Sequence, residues 1–183
     1  MEQLSLTQEW DKTFPKSAKV DHCKVTFHNR YGITLAADMY VPKNAAGKLP
    51  AIAVSGPFGA VKEQSSGLYA QAMAERGFLT IAFDPSFTGE SGGSPRYVAS
   101  PDINTEDFSA AVDFLSVQDN VDPERIGIIG ICGWSGMAIP ISALVRERAS
   151  LIPSPTMATF PVSFRERIMA SSSIIVLRLK ITK

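Results

Sequence analysis

A regular alternation of short apolar runs with segments of helical spacing constrains the fold of this chain more than any other feature. Apolar runs at 51–55, 78–83 and 126–131 predict three buried strands. Residues 65–76 and a second segment that begins near Asn104 carry helical spacing between those strands. Two neighbouring parallel strands need a crossover connection, which is usually a helix. The order strand, helix, strand, helix, strand therefore predicts an α/β fold, with a parallel sheet and helices on both faces.

Local signals mark the ends and the inner faces of both predicted helices. Gly77 follows the first helix at the position where a left-handed C-cap belongs. Asn104 is expected to cap the second helix, since its side chain can accept a hydrogen bond from a free N–H group of the first turn. The inner stripe of that helix is predicted to consist of four apolar residues: Phe108, Ala111, Val112 and Leu115.

A period-two pattern in front of this alternation predicts an antiparallel hairpin. Residues 20–29 and 33–41 follow the pattern, and the turn between them contains Gly32. One face of such a hairpin is expected to be wet. His22 and His28 lie on this outward face, so both are predicted to be plain surface residues.

The charge balance and the cysteine content exclude several classes of function. Eighteen lysines and arginines balance eighteen acidic residues, whereas nucleic acids and anionic membranes are bound by surfaces with a basic excess. Cys23 and Cys132 lie far apart, in no spacing of a metal site or a disulfide framework. The polar N-terminus lacks the apolar run of a signal peptide, and no stretch approaches the roughly 18 apolar residues of a membrane span. We therefore expect a cytoplasmic protein that binds neither nucleic acid nor membrane.

The third buried run ends in a sequence with the character of a nucleophile elbow. Gly130, Cys132 and Gly133 close the strand, and residues 137–148 are compatible with a helix. In such an elbow the nucleophile lies on a sharp strand-to-helix turn, and small neighbours are needed because the backbone is crowded there. Cys132 is the candidate nucleophile, and the N–H group of Gly133 is expected to point to the place where an oxyanion develops. The alternative is that Cys132 is only a small buried residue at the end of a strand.

Four signals in order along the chain resemble those of the α/β-hydrolase superfamily, and most closely those of its dienelactone-hydrolase-like branch. They are the first hairpin, Ser55–Gly59 after the third strand, Asp84–Ser91 after the fourth strand and the elbow at Cys132. The resemblance covers about residues 20–139. It implies an α/β-hydrolase-type, mostly parallel sheet. It also implies hydrolysis of small esters or lactones through a cysteine nucleophile, without a metal or an organic cofactor.

The loop after the third strand is expected to supply the second oxyanion donor. Pro57 has no N–H group, so the backbone N–H group of Phe58 is the better candidate. Glu63 follows shortly and resembles an acidic residue that related lactone hydrolases place near the thiol. A solvated loop charge beside Lys62 is the alternative interpretation of Glu63.

Two serines compete with Cys132 for the role of nucleophile. Ser91 lies in a literal G-x-S-x-G sequence, but Pro95 follows closely, and no helix starts there as an elbow requires. The resemblance makes this segment a structural loop. Ser135 is the alternative nucleophile, although its place three residues after Cys132 favours capping or packing. Trp134 replaces the small residue that the family has at this position and is expected to crowd the turn.

The residues after Cys132 depart from the hydrolase pattern. The family order is nucleophile, then Asp, then His, but no Asp or His follows Cys132, and the acids there are Glu147 and Glu166. Acyl transfer also needs a proton for the leaving group, so we expect very low activity from this chain. The resemblance is expected to stop near Pro140, and we hypothesise that the sequence beyond it comes from an altered reading frame or an alternative ending.

These observations predict three parts of the chain. Residues 1–19 form an N-terminal extension, residues 20–149 form the N-terminal part of a hydrolase domain, and residues 150–183 form an atypical tail. The domain is predicted to be truncated after its fifth strand and the helix of the elbow. An apolar run from Ile174 could add a late strand.

The alternative to an enzyme is a non-catalytic, truncated hydrolase-fold domain that acts as a binding or oligomerising module. The unpaired edge of the fifth strand would then support homo-oligomers. A nucleotide-binding domain is disfavoured, because the glycine-rich turn carries Cys132 and Trp134 instead of a phosphate cradle. In the leading interpretation, the chain is an enzyme whose partner is a small-molecule ester or lactone substrate.

Overall fold

The computed structural model describes residues 4–135 and 174–179, which form six strands and two helices. In chain order the elements are β1 Val20–His28, β2 Thr34–Pro42, β3 Leu49–Ser55, α1 Ser65–Ala74, β4 Leu79–Phe83, α2 Pro101–Ser116, β5 Val121–Ile131 and β6 Ile174–Leu179. The predicted helix over 137–148 and the predicted boundary at residue 150 lie outside the described residues. Neither α1 nor α2 has the length and apolar character of a membrane-spanning helix.

The sheet has a parallel centre with antiparallel strands towards both edges. Its strand order is β1-β2-β4-β3-β5-β6. β3 pairs in parallel with β4 on one side and with β5 on the other, as crossover helices between these strands predict. β1 and β2 form the predicted antiparallel hairpin, and β2 pairs antiparallel with β4. The arrangement confirms the predicted α/β-hydrolase-type sheet.

The tail contributes a strand to this sheet. β6 pairs antiparallel with β5 along residues 126–131, so the prediction of a late strand from Ile174 is confirmed. The same pairing shows that the prediction of a free β5 edge is wrong, because the backbone of β5 in this stretch is bonded to β6. The β5 edge therefore gives no support to the predicted homo-oligomer.

Alternate side chains of the central strands enter two separate cores, one on each face of the sheet. In β3, Ala51 and Ala53 belong to the core beneath α2, whereas Ile52 and Val54 belong to the core beneath α1. The predicted inner stripe of α2 is buried in full: Phe108, Ala111, Val112 and Leu115. The prediction of helices on both faces is confirmed.

The helix ends and the inner face of α1 differ in detail from the predictions. α2 begins at Pro101 with Ser100 as its N-cap, so Asn104 is not the cap. Asn104 lies inside the helix, where its side-chain oxygen accepts a hydrogen bond from the Ser100 N–H group at 2.9 Å. In α1, Leu68 is 48% exposed, and the buried face consists of small or polar residues: Ser66, Gly67, Ala70, Gln71 and Ala74. Gly77 has a φ of 94°, which confirms a left-handed residue after the helix.

The N-terminal segment covers the face of the hairpin that the sequence predicts to be wet. Phe14 is buried in the α1 core, and the buried ammonium group of Lys12 lies 3.1 Å from the Asp38 carboxylate of β2. The His22 ring lies 2.8 Å from the same carboxylate, and its side chain is only 12% exposed. The prediction of a surface His22 is therefore wrong, whereas His28 is exposed as predicted. An alternating pattern shows which residues share a face, and it does not show what packs over that face.

Removing the largest side chain of the α2 stripe should strongly destabilise the domain. Phe108 is fully buried, and its ring centroid lies 5.1 Å from that of Phe83 in an edge-to-face arrangement. We expect Phe108→Ala to lower the free energy of unfolding by about 3–5 kcal/mol, because it leaves a cavity in the core. Val117→Ala, at a position that is 75% exposed, is the control and should change it by less than about 0.5 kcal/mol. Urea denaturation followed by circular dichroism measures both, and equally small effects would contradict this packing of α2.

Candidate active site

A sharp turn joins β5 to a helical segment and presents the Cys132 side chain at the surface. Cys132 has a φ of 59°, a left-handed conformation that is uncommon outside glycine. The backbone is helical over residues 133–135, and the Ser135 N–H group donates to the Cys132 carbonyl oxygen at 3.0 Å. Cys132 is a free and exposed cysteine. The strand, the turn and the start of a helix thus lie as predicted, and the alternative of a buried Cys132 is wrong.

Small residues at positions 130 and 133 allow the backbone segments of this turn to approach closely. A Cβ atom at Gly130 would lie 2.4 Å from the Trp134 carbonyl oxygen, and one at Gly133 would lie 2.1 Å from the Phe58 ring. Trp134 is 2% exposed and packs in the α2 core, with its ring centroid 5.9 Å from that of Phe108. The prediction that Trp134 crowds the turn is therefore wrong, because its side chain is directed into the core.

The loop after β3 lies against this turn. The Phe58 side chain is half exposed, and its ring centroid is 5.7 Å from that of Trp134. Within residues 4–135, neither the N–H group of Phe58 nor that of Gly133 donates a hydrogen bond to another protein group. The structure therefore brings the two loops that carry the predicted oxyanion donors into contact.

A pocket of about 310 Å³ opens between the loops after β3 and β4. Its walls are largely apolar, and Phe58 and Trp134 connect it to the turn that carries Cys132. Tyr97, which is 87% exposed, also lines it. Besides the Tyr97 hydroxyl group, the polar side chains among the lining residues are Ser86, Thr88 and Asn104. Apolar pockets of this size with a few polar groups are typical binding sites for small organic molecules.

The two serines that compete with Cys132 have other roles in the fold. Ser91 is 2% exposed, donates a hydrogen bond to the Asp84 carbonyl oxygen at 2.7 Å and accepts one from the Ala36 N–H group at 2.8 Å. These contacts are those of the predicted structural loop. The Ser135 hydroxyl group donates to the Cys132 carbonyl oxygen at 2.5 Å, so it caps the turn.

A buried cluster of ion pairs joins the two loops that line the pocket. The Lys62 side chain is fully buried, and its ammonium group contacts the carboxylates of Glu63, Asp84 and Glu90 at 2.5, 2.9 and 2.7 Å. Lys24 of β1 also contacts Glu90, at 2.6 Å. We refer to these five residues as the Lys62 cluster. It connects the β3 loop, the β4 loop and the first hairpin.

Glu63 lies in this cluster and is only 12% exposed. Its carboxylate contacts Lys62 and lies 3.6 Å from Lys24, and no described hydrogen bond or ion pair joins it to Cys132. The interpretation of Glu63 as a solvated loop charge is therefore wrong. No described contact supports the predicted position of Glu63 beside the Cys132 thiol.

Three carboxylates of the chain lie close enough together to hold a cation, but lysines already lie among them. Oxygen atoms of Asp11, Glu63 and Glu90 are within 4.8 Å of one another. The Lys24 ammonium group is 3.5 Å from Asp11, 3.6 Å from Glu63 and 2.6 Å from Glu90. The protein itself thus supplies the positive charge at this place.

Contacts within the Lys62 cluster favour the charged forms of Glu90 and Lys62 in spite of burial. Burial alone would raise the pKa of Glu90, but hydrogen bonds from Lys24, Lys62 and the Thr7 N–H group outweigh it and hold the pKa at about 2. Burial alone would lower the pKa of Lys62, but Asp84 and the other two carboxylates raise that pKa above its ordinary value. Burial raises the pKa of the Asp84 carboxyl group, and the Lys62 ammonium group opposes that rise.

Sequence reasoning did not find the Lys62 cluster, although a signal for it exists. Lys62 follows β3 and Asp84 directly follows β4. Because the carboxyl ends of adjacent parallel strands meet at one edge of a sheet, opposite charges in the loops that follow two such strands are candidates for an ion pair.

Residues 31–158 match the model of the peptidase S15 family, which is described as X-Pro dipeptidyl-peptidase. The match includes well over half of the chain. This chain belongs to the S15 family. The family is part of the α/β-hydrolase clan, so the chain is a hydrolase-like protein. The region of this S15 member that matches the family model extends beyond Pro140. The prediction that the resemblance stops near that residue is therefore wrong.

Several curated proteins are similar to this S15 member. The uncharacterized protein PA2218 of Pseudomonas aeruginosa is 72% identical over 156 residues, which cover 85% of this chain and 42% of PA2218. The uncharacterized protein YcjY of Escherichia coli is 47% identical over 129 residues, covering 68% of this chain and 42% of YcjY. The thiohydrolase aneE of Aspergillus aculeatus is 33% identical over 148 residues, covering 81% of this chain and 45% of aneE. The chain thus spans less than half the length of these relatives.

Solved structures show the same fold. The crystal structure of PA2218 superposes with a TM-score of 0.76 at 73% identity, over 81% of this chain and 46% of that chain. The α/β hydrolase GrgF from Penicillium sp. sh18 superposes with a TM-score of 0.62 at 24% identity, over 67% of this chain and 42% of that chain. The S15 member therefore has the fold of an α/β hydrolase.

The low pKa of Glu90 predicts how this S15 member loses stability in acid. A carboxyl group whose pKa falls from 4.5 to about 2 on folding stabilises the fold above pH 4.5, and this contribution is lost as the pH falls from 4.5 to about 2. We expect Glu90→Gln to be less stable than the wild type at pH 7 and to lose less further stability over that pH range. Urea denaturation at a series of pH values measures both.

Glu124→Gln is the control for this prediction. Glu124 is exposed, so the substitution removes the same charge outside the Lys62 cluster and should keep the pH dependence of the wild type. Parallel stability curves for the wild type and Glu90→Gln would contradict the ion pairs of Glu90.

Proposed function

We propose that the chain carries the nucleophile and the oxyanion donors of an acyl-transfer site, in which Cys132 attacks the carbonyl carbon of a small ester, lactone or thioester. The observation that carries the proposal is the exposed thiol of Cys132 on a left-handed turn, beside loops whose Phe58 and Gly133 N–H groups have no partner in residues 4–135. Membership of the S15 family and the α/β-hydrolase fold support hydrolase chemistry at this turn.

In the proposed acylation, one bond forms and another breaks at the same carbon atom. The Cys132 thiol gives its proton to solvent, and its sulfur then attacks the carbonyl carbon. The electron pair of the C=O bond moves to the oxygen, which the N–H groups of Phe58 and Gly133 bind as an oxyanion. When the tetrahedral intermediate collapses, the leaving group departs with its bonding electrons and a thioester remains on Cys132. Water then releases the carboxylic acid and restores the thiol.

The chemistry of the leaving group sets which substrates this chain can use. An alkoxide must be protonated as it leaves, and a positioned acid normally supplies the proton. Residues 133–183 of this chain contain no Asp or His. We therefore expect acylation by activated esters, whose leaving groups depart as stable anions, and very slow turnover of alkyl esters.

The pocket beside the turn is proposed to hold the acyl group. Phe58 and Trp134 give it apolar walls, which favour an apolar acyl group over a charged one. The resemblance to the dienelactone-hydrolase-like branch supports lactones as substrates, and the name of the relative aneE, a thiohydrolase, supports thioesters. We place the reaction in the cytoplasm, where a reducing environment keeps Cys132 as a thiol.

Acylation of Cys132 should be directly visible with 4-nitrophenyl acetate. We expect a burst of one equivalent of 4-nitrophenolate, followed by slow turnover, because the leaving group needs no proton. Burial and the Asp38 carboxylate raise the pKa of the Cys23 thiol, so less of Cys23 is in the nucleophilic thiolate form at pH 7 than in an ordinary cysteine. Absorbance at early times measures the burst, and mass spectrometry of the peptides locates the acetyl group.

Single cysteine variants control this experiment. Cys132→Ala should abolish the burst, and Cys23→Ala should leave it unchanged. A burst that survives in Cys132→Ala, or equal and slow acetylation of both cysteines, would contradict the proposal. It would favour the alternative of a non-catalytic hydrolase-fold module.

Occupation of the pocket should change the fluorescence of Trp134. The chain has two tryptophans, so Trp10→Phe leaves Trp134 as the only one. We expect hexanoate to quench its emission at concentrations where acetate does not, because the longer chain buries more apolar surface, about 0.8 kcal/mol per CH₂ group. Phe58→Ala, which removes one wall, should weaken the quenching by hexanoate. Equal responses to the two acids would contradict an apolar acyl pocket.

A further inference from the structure

We infer that Lys62 is a positioning residue of the acyl-transfer site, because its buried ammonium group holds the loop that carries the Phe58 N–H group against the loop after β4. The inference rests on the proposed function, since it concerns how the oxyanion donor of that site is kept in place. Lys62 does not touch the proposed substrate pocket and is not proposed to be a catalytic residue.

The loop between β3 and α1 has few internal means of fixing its position. The Ala60 N–H group donates to the Pro57 carbonyl oxygen, and the Gln64 N–H group donates to the Val61 carbonyl oxygen, both at 3.0 Å. These bonds close tight turns inside the loop. They do not attach it to another element; outside the Lys62 cluster, the Thr13 N–H group of the N-terminal segment does so by donating to the Glu63 carbonyl oxygen at 3.0 Å.

Lys62 attaches the loop to the β4 loop at two points. Its N–H group donates to Oδ1 of Asp84 at 2.7 Å, and its ammonium group donates to Oδ2 of Asp84 at 2.9 Å. The same ammonium group donates to Glu90 at 2.7 Å, and the Glu90 N–H group donates to Oδ2 of Asp84 at 2.9 Å. One carboxylate and one ammonium group thus hold the main chain of both loops.

Burial makes this attachment rigid. The side chains of Lys62 and Asp84 are both fully buried, and hydrogen bonds between ionised groups are the strong ones. Separating the pair would leave an unpaired charge in the interior, which is strongly unfavourable. Phe58 lies four residues before Lys62 in the same loop, and an oxyanion donor must be held to within about 0.5 Å of its working position.

A comparison of two reactions of the Cys132 thiol can distinguish a positioning role of Lys62 from a purely structural role. Iodoacetamide alkylates the Cys132 sulfur at a saturated carbon and expels iodide, so no oxyanion forms. In contrast, 4-nitrophenyl acetate acylates the same sulfur through an oxyanion that the Phe58 N–H group is proposed to bind. A displaced β3 loop therefore slows acylation of Cys132 and does not slow its alkylation.

The test compares the two rate constants at Cys132 in a Cys23→Ala background, in the wild type and in Lys62→Met. Methionine keeps much of the length of the lysine side chain and removes its charge. We expect the ratio of acylation to alkylation to fall by about tenfold or more, since loss of one oxyanion donor costs a factor of 100 to 1000. Lys62→Met leaves the buried Asp84 carboxylate without its ion-pair partner. A second variant therefore combines Lys62→Met with Asp84→Asn, and it should show the same fall in the ratio of acylation to alkylation. Circular dichroism verifies that each variant is folded.

Lys12→Met is the matched control. The Lys12 side chain is fully buried, like that of Lys62, and it pairs with Asp11 at 2.6 Å and with Asp38 at 3.1 Å, outside the two loops. Its substitution should reduce stability and leave the ratio unchanged. An unchanged ratio in the folded Lys62 variants, or an equal fall in Lys12→Met, would overturn the inference. Failure of the proposed function gives a different result, in which the wild-type thiol is alkylated but is not acylated.

Discussion

The parallel pairing of β3 with β4 and with β5 is the constraint on which the rest of the structure depends. Parallel strands end at the same edge of a sheet, so the three loops that follow them meet there. Phe58 follows β3, Asp84 follows β4 and Cys132 follows β5. Residues that are distant in sequence therefore share one place, and the candidate site is a consequence of strand direction.

Charged groups as well as apolar side chains organise this edge of the sheet. Lys62 and Lys24 lie among carboxylates from three different segments, and the N-terminal segment covers part of them. Buried ion pairs often contribute little net stability compared with apolar packing. In this protein the ion pairs of Lys62 hold the two loops that line the pocket at a defined distance and orientation, because hydrogen bonds between charged groups are strong and directional.

The sequence predicted the strands, the order of the elements and the turn at Cys132, because each depends on local pattern. Buried strands are continuous apolar runs, and glycines mark the close approach of backbone at the turn. It did not predict that Trp134 packs into the core, that His22 is covered or that Lys62 pairs with Asp84. Each of these features depends on contacts between segments far apart in the chain, which periodicity does not report. The charged residues in the loops after β3 and β4 indicate the Lys62–Asp84 pair only when the two strands are known to be parallel and adjacent.

A crystal structure of the chain with a trifluoromethyl ketone bound at Cys132 would test the central claim most directly. The thiolate adds to the ketone carbon, and the ketone oxygen becomes a stable oxyanion that resembles the tetrahedral intermediate of acyl transfer. We predict that this oxygen lies about 2.7–3.1 Å from the backbone nitrogens of both Phe58 and Gly133. An adduct whose oxygen points to solvent, with neither N–H group bound to it, would contradict the proposed site.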